Sequence, residues 1–152
     1  MPQSKLTLSE FLPYQLSITS NAVSDLIARS YRGRFGLKIP EWRVMAVLGE
    51  RPSATQRDLV TLTQMDKVTV NRASKELVDR GLIARAPNES DGRSHHLALT
   101  DVGRELYHQI VPLALSVEAE IEEILGGEQT RVLEDMLAKL RERVAEMEKR
   151  FG

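Results

Sequence analysis

Residues 64–104, QMDKVTVNRASKELVDRGLIARAPNESDGRSHHLALTDVGR, decide how this chain folds. Asp66 opens the stretch as a helix N-cap, because a short carboxylate accepts the orphan N–H groups of a first turn. Val70, Ala73, Ser74 and Leu77 then recur at intervals of three and four, which predicts one buried face of a helix stopped by Gly81. The opposite face carries Lys67, Thr69, Asn71, Arg72 and Lys75. Thr and Asn present short hydrogen-bonding groups, while Arg and Lys reach guanine edges or phosphates. A solvated helix face shows the same polar stripe, so the helix alone leaves both readings open.

The segment after the helix favours one of them. Residues 82–86, LIARA, form a short apolar run between turn signals and predict a strand. Residues 87–92, PNESDG, are dense in turn formers, and Asp-Gly is a strong hairpin signal. Residues 95–99, HHLAL, resume extended structure, and Thr100 caps a new helix at Asp101. The hairpin tip then presents Asp91, Arg93, Ser94 and His95. An arginine on a narrow projecting loop suits the minor groove, where A·T-rich segments carry enhanced negative potential. Alternatively, Asp91 and Arg93 pair with each other across a surface turn, an interaction worth about 0–1 kcal/mol. A helix of major-groove size followed by a basic-tipped hairpin is an arrangement that sequence-reading DNA-binding proteins need and enzymes rarely do.

The residues carry a specific resemblance. DGRSHHLALTDVG, residues 91–103, resembles the wing signature of the MarR family of bacterial transcriptional regulators, roughly D-x-R-x-x-x-L-x-L-T-x-x-G. GLKIPEWRVMAVL, residues 36–48, is similar to that family's second helix, and residues 55–83 to its helix-turn-helix. The resemblance implies a mainly α fold with a small β-hairpin wing, a winged helix-turn-helix with long N- and C-terminal dimerisation helices. Residues 1–152 then form a single domain, with the winged lobe at about 38–100 and the dimerisation region at about 5–35 and 101–150. The implied protein is a cytoplasmic homodimer, nucleoid-associated when bound to DNA, that represses from an inverted-repeat operator and is released by a small aromatic or phenolic ligand. By position, Lys67, Val68, Thr69, Asn71, Arg72 and Lys75 fall on the base-reading face. Arg93 falls on the wing arginine beside Ser94, and Asp91 on the acid that orients it. Val68 stands where many relatives carry a small polar residue, which replaces a base hydrogen bond with contact to a thymine methyl.

Composition narrows the function classes. At 152 residues the chain supports one domain with a real core, and 41% hydrophobic with 28% charged residues place it among soluble globular proteins. No stretch approaches the roughly 20 apolar residues of a membrane span, and no signal-peptide pattern opens the chain. Cysteine is absent, which excludes disulfides, thiolate metal sites and cysteine-based redox sensing. The net charge of −1 is unevenly spread. Residues 1–52 hold seven Lys/Arg against four Asp/Glu (+3), residues 53–100 seven against six (+1), and residues 101–152 seven against twelve (−5). DNA affinity depends on cations that face phosphate rather than on whole-chain charge, so the acidic tail does not exclude it.

The flanks read as helices. Leu8, Phe11, Leu12, Ile18, Ala22, Val23, Leu26 and Ile27 outline a long amphipathic helix ending near Gly33 or Gly36. Pro40 opens a short apolar helix bearing Trp42, Val44, Met45, Val47 and Leu48. Thr55 caps a helix over 56–62, with Leu59, Val60 and Leu62 expected in the core. After the wing, Leu106, Ile110, Leu113, Val117, Ile121 and Leu125 mark a second long helix with a kink expected near Pro112. Gly126-Gly127 breaks the chain before a last helix carrying Val132, Leu133, Met136, Leu137, Leu140, Val144 and Met147. The terminal helices hold more apolar surface than so small a chain covers by itself, so a C₂ homodimer is expected, with an intramolecular bundle as the alternative.

The family resemblance also implies an effector cleft between the dimer helices and the DNA-binding lobe. Its candidate lining is Tyr14, Ser17 and Asn21 with Trp42 and Met45, and Arg43 placed to meet a carboxylate. Ordinary core is the stronger reading of Trp42 and Met45, and a solvated face the alternative for Ser17 and Asn21. An enzyme is not expected. His95 and His96 are adjacent in a strand and point to opposite faces, no H-E-x-x-H spacing occurs, and neither a nucleophile elbow nor a Gly-rich phosphate loop is present. No cofactor or metal is expected. A winged helix that binds another protein remains the rival, although its reading face would then need apolar anchors and has only Val68.

Overall fold

The computed structural model describes residues 4–88 and 91–152, of which 87, 88 and 91–94 are described by their backbone alone. Six helices and three short strands are described: α1 (Leu12–Phe35), α2 (Ile39–Glu50), β1 (Ala54–Thr55), α3 (Gln56–Thr63), α4 (Lys67–Asp79), β2 (Ile83–Asn88), β3 (Asp91–Leu99), α5 (Asp101–Leu125) and α6 (Gly127–Phe151). The fold is a winged helix-turn-helix, mainly α with a small antiparallel sheet in the order β1-β3-β2. Two compact units divide the chain, Met1–Ile110 and Val111–Gly152, the division falling within α5 just before Pro112.

In the first unit, α2, α3 and α4 pack on one another, with α2 and α3 also against β3 and α4 against β2. Leu37, Met45, Leu48, Leu59, Val70, Leu77, Ile83, Leu97 and Ile110 are fully or almost fully buried there. The four residues expected on the inner face of α4, Val70, Ala73, Ser74 and Leu77, are all buried. Polar caps fix where the helices begin. Thr55 Oγ1 accepts from Asp58 N–H (3.1 Å) while Thr55 N–H donates to Asp58 Oδ2 (3.0 Å), a reciprocal box that starts α3. The buried Glu41 accepts from Lys38 N–H at 3.1 Å and starts α2 with one half of such a box, since the lysine side chain has no acceptor to return the bond; Pro40 lies in the first turn.

Several expectations are corrected. The N-terminal segment is not one helix from Leu8: residues Leu8–Glu10 form a 3₁₀ turn, Phe11 is extended, and α1 begins at Leu12. Pro13 explains the break, because proline fits a first helical turn but clashes with a turn preceding it. Leu62 is exposed, whereas Thr63 is buried. Thr63 lies one turn beyond Leu59 and shares its face, and its hydroxyl donates to the Leu59 carbonyl; Leu62 is rotated about 100° away from Thr63. The residues that join β2 to β3, within the 87–92 stretch expected to turn, lie outside the described residues. Asp91 pairs with Asn88, and the register shifts between Pro87 and Asn88, where proline supplies no N–H to the ladder. A third strand, Ala54–Thr55 paired to Leu97 and His96, was not expected; two residues are too few to show a period.

In the second unit, Val132, Leu133, Met136, Leu137, Leu140, Val144 and Met147 recur along α6 and all remain exposed. Among the described residues no helix is long and apolar enough to cross a membrane.

Candidate nucleic-acid interface

The turn between α3 and α4 sets the pose of the exposed helix. Gln64 adopts a left-handed conformation (φ 57°) that closes α3, and its side-chain amide donates to Thr61 O at 2.8 Å. Two residues on, the Asp66 carboxylate accepts from the backbone N–H of Thr69 (2.7 Å) and from the Thr69 hydroxyl (2.9 Å), starting α4. These bonds, the backbone one foremost, hold the Asp66 carboxyl below its ordinary range. The same causes, led by the Thr55 N–H, lower Asp58.

On α4 the expected reading face largely holds together. Lys67, Val68, Asn71, Arg72 and Lys75 are all exposed, and at 100° per residue they span an arc of about 140°. Val68, 65% exposed, is the one apolar member. Thr69 does not join them: it is half-buried, lies beyond the edge of that arc, and its hydroxyl proton is committed to Asp66. The arc therefore offers one amide, three cations and a branched apolar surface, a set able to engage phosphates, purine edges and thymine methyls.

The wing is set by a motif whose parts are structural. Thr100 Oγ1 donates to Gly81 O (2.7 Å) and accepts from Gly103 N–H (3.0 Å), while Thr100 N–H reaches Leu82 O (3.1 Å). Gly103 lies against the Leu82 carbonyl, where a Cβ would overlap the oxygen. The L-T-x-x-G part of the signature thus ties the α5 start to the base of the hairpin. The side chains of Asp91, Arg93 and Ser94 lie outside the described residues. His95 is exposed, and His96 is half-buried with its Nδ1 2.9 Å from Ser53 Oγ. Arg57 in the first turn of α3 and Arg85 on β2 are further exposed cations of this lobe. The sequence pattern did not single them out, and the positive balance of residues 53–100 was the one hint.

The candidate effector residues divide into two sets. Tyr14, Ser17 and Asn21 are exposed along α1, Ser17 with its hydroxyl bonded to Pro13 O. Trp42 is half-buried and meets α1 at Tyr31 (ring centroids 5.2 Å apart, edge to face), about 15 Å along the helix from Asn21. Its other neighbour is Tyr107 of α5, stacked at 6.2 Å. Arg43 is exposed, and Met45 is fully buried in the core. Tyr31 is itself buried, which pushes its phenol above the usual range.

A model described as the MarR family matches residues 35–94, from the end of α1 into β3. The HTH-type transcriptional regulator FarR of Neisseria gonorrhoeae is 30% identical over 100 residues, spanning 66% of this chain and 68% of that protein. The chain belongs to the MarR family. An HTH-type transcriptional repressor of Mycobacterium tuberculosis is 29% identical over 105 residues, 69% of this chain and 76% of that protein. Among solved structures, the transcriptional repressor CouR, bound to a 23-mer DNA duplex, is 28% identical with a TM-score of 0.80, covering 91% of this chain and 99% of that one. As a member of the MarR family, the chain is a winged helix-turn-helix, DNA-binding transcriptional regulator.

Proposed function

We propose that this MarR-family chain is a homodimeric repressor that reads an inverted-repeat operator with Lys67, Val68, Asn71, Arg72 and Lys75 of α4 in the major groove. Arg93, with Asp91 and Ser94 beside it, is assigned to the minor groove at the wing. The observation that carries this reading is the continuous exposed arc on α4, rich in Arg and Lys, on a helix whose opposite face is wholly committed to the core. CouR, which shares the fold and 28% of the residues, supports it as a repressor bound to duplex DNA. The apolar rows left exposed on α1 and on α6 supply surface for a second copy. Two recognition helices about 34–36 Å apart then meet successive major grooves on one side of a duplex. The regulator works in the cytoplasm, on the nucleoid when bound. A small aromatic acid, seated against the half-buried Trp42 with Arg43 at its carboxylate, releases it by favouring a dimer whose helices are mis-spaced for DNA.

Selection of duplexes from a random pool, followed by anisotropy titration of the winners across salt, tests the reading. An enriched inverted repeat with a steep salt slope supports it. No enrichment above background would leave a winged helix that binds another protein.

A further inference from the structure

We propose that Arg80 is a positioning residue that sets the spacing between the two recognition helices, by pinning the C-terminal end of α4 to the end of α1. The proposal rests on the reading of the chain as a dimeric repressor and adds to it the element that holds the reading helix in the dimer frame.

Arg80 is the residue that caps α4, its own N–H donating to Glu76 O at 3.1 Å, so its position follows the helix. Its guanidinium reaches back to a segment 44 residues earlier. Nη1 donates to Gly36 O at 3.0 Å and Nη2 to Phe35 O at 3.1 Å. These carbonyls belong to the closing end of α1, where helix carbonyls lack intrahelical partners and carry partial negative charge. Two planar donors on two successive carbonyls fix an orientation as well as a distance, which a lysine ammonium does not do. Arg80 is exposed, so water competes for both bonds and their effect on folding is small beside their effect on geometry.

The element so pinned is the one that must not move. Along its length α1 exposes Leu12, Leu16, Ile18 and Leu26, apolar surface assigned to the second copy. The path from partner to α1, to the Phe35 and Gly36 carbonyls, to Arg80 and into α4 is continuous. One base pair inserted between half-sites moves the second by about 3.4 Å and turns it by about 35°. A helix held at its end rejects that displacement; a helix held only by its packing against α2, α3 and β2 follows it.

The test uses full-length Arg80→Ala and Arg80→Lys proteins on the operator the wild type selects, and on versions with the spacer one base pair longer or shorter. Anisotropy gives the affinities and thermal melts give the stability. The expected result is a wild type that prefers its own spacing by about tenfold or more, and variants whose preference falls to about threefold or less with an unchanged melting temperature. Arg80→Lys keeps the charge and serves if Arg80→Ala fails to fold. A capping role alone lowers the melting temperature and the active fraction but leaves the ranking of spacers as in the wild type. Variants that keep the wild-type ranking and ratio overturn the proposal while leaving the dimeric reader intact. A wild type that selects no spaced repeat overturns both.

Discussion

Gly103, in the first turn of α5, lies so close to the Leu82 carbonyl that a single added methyl group would overlap the oxygen. Leu82 is held there by two hydrogen bonds, its N–H to Leu77 O (2.9 Å) and its carbonyl from Thr100 N–H (3.1 Å), so neither side has room to yield. Gly103→Ala is expected to destabilise the protein by about 1–3 kcal/mol, the usual cost of forcing bulk into a packed site. Gly127→Ala is the control, since nothing lies within 4 Å of a Cβ there. Thermal melts of the two variants should differ by about 2–4 °C for each kcal/mol. Equal melting temperatures would show that the Leu82 backbone gives way.

Ser74 makes the opposite prediction. Its side chain is fully buried on the inner face of α4, and its hydroxyl finds no hydrogen-bond partner among the described residues. A buried polar group without a partner costs about 1–3 kcal/mol. Ser74→Ala removes the hydroxyl at almost constant volume and is expected to raise stability by about 1 kcal/mol in denaturant unfolding. A loss of stability would reveal a hydrogen bond that the folded protein forms at this hydroxyl.

The legible parts of the fold were those carried by local rules. Asp66, Thr55 and Gly81 marked helix ends because caps and left-handed stops are properties of one or two residues. The α4 inner face was readable because four buried residues repeat a helical period. Leu62 was misplaced because three apolar residues in an eight-residue helix do not fix its rotation; the packing of Thr63 does. Strand β1 and the Arg80 bonds were illegible for another reason. Each depends on a contact more than 40 residues away in the chain, and a two-residue strand or a lone arginine carries no pattern of its own. At the candidate site, Thr69 was grouped with the base readers by polarity; its hydroxyl donates at the surface to the Asp66 cap that starts the helix, a bond that polarity alone does not reveal.

That cap has a pH signature. The Asp66 and Asp58 carboxyls are both held below their ordinary range by backbone N–H donors, from Thr69 and Thr55 respectively. A carboxyl lowered in the folded state stabilises it above the unfolded value, and the contribution is lost as pH falls through the folded one. Both caps are therefore complete at neutral pH and fail in acid, below about pH 4. An Asp66→Asn, Asp58→Asn double variant retains capping oxygens but no titration there. Its melting temperature is expected to decline less steeply than the wild type's between pH 4 and pH 2; parallel curves would exclude the two caps as the cause.

Trp42 provides a direct reading of the effector proposal, because the chain has one tryptophan. Titrating the protein with a benzoate or hydroxybenzoate is expected to quench its fluorescence saturably and to release bound operator over the same concentration range. Arg43→Ala should weaken both effects in parallel, since it removes the charge assigned to the carboxylate while leaving the indole in place. Quenching without release would place the ligand somewhere that does not bear on DNA.

The reading face itself divides by chemistry, and each member has its own expected defect. Arg72→Ala should flatten discrimination at one operator position, worth about 1–3 kcal/mol for a bidentate contact, whereas Lys75→Ala should weaken all duplexes alike and reduce the salt slope by about one. Arg93→Ala should weaken binding broadly, most at A·T-rich flanks. Val68 behaves differently from all three. Its side chain is 65% exposed on a helix whose other exposed members are polar, and the neighbouring Thr69 hydroxyl cannot donate to a base while it donates to Asp66. Contact with a thymine methyl is the role expected of it. Replacing the thymines of the selected operator one at a time with deoxyuridine removes that methyl and nothing else. At one position the wild type should lose about fourfold in affinity, as expected for about 0.8 kcal/mol per buried carbon. Val68→Ala should bind the original operator more weakly and be nearly indifferent to the same replacement, so that the two losses do not add. Losses that add in full would separate Val68 from the methyl group and return the front of α4 to its polar residues alone.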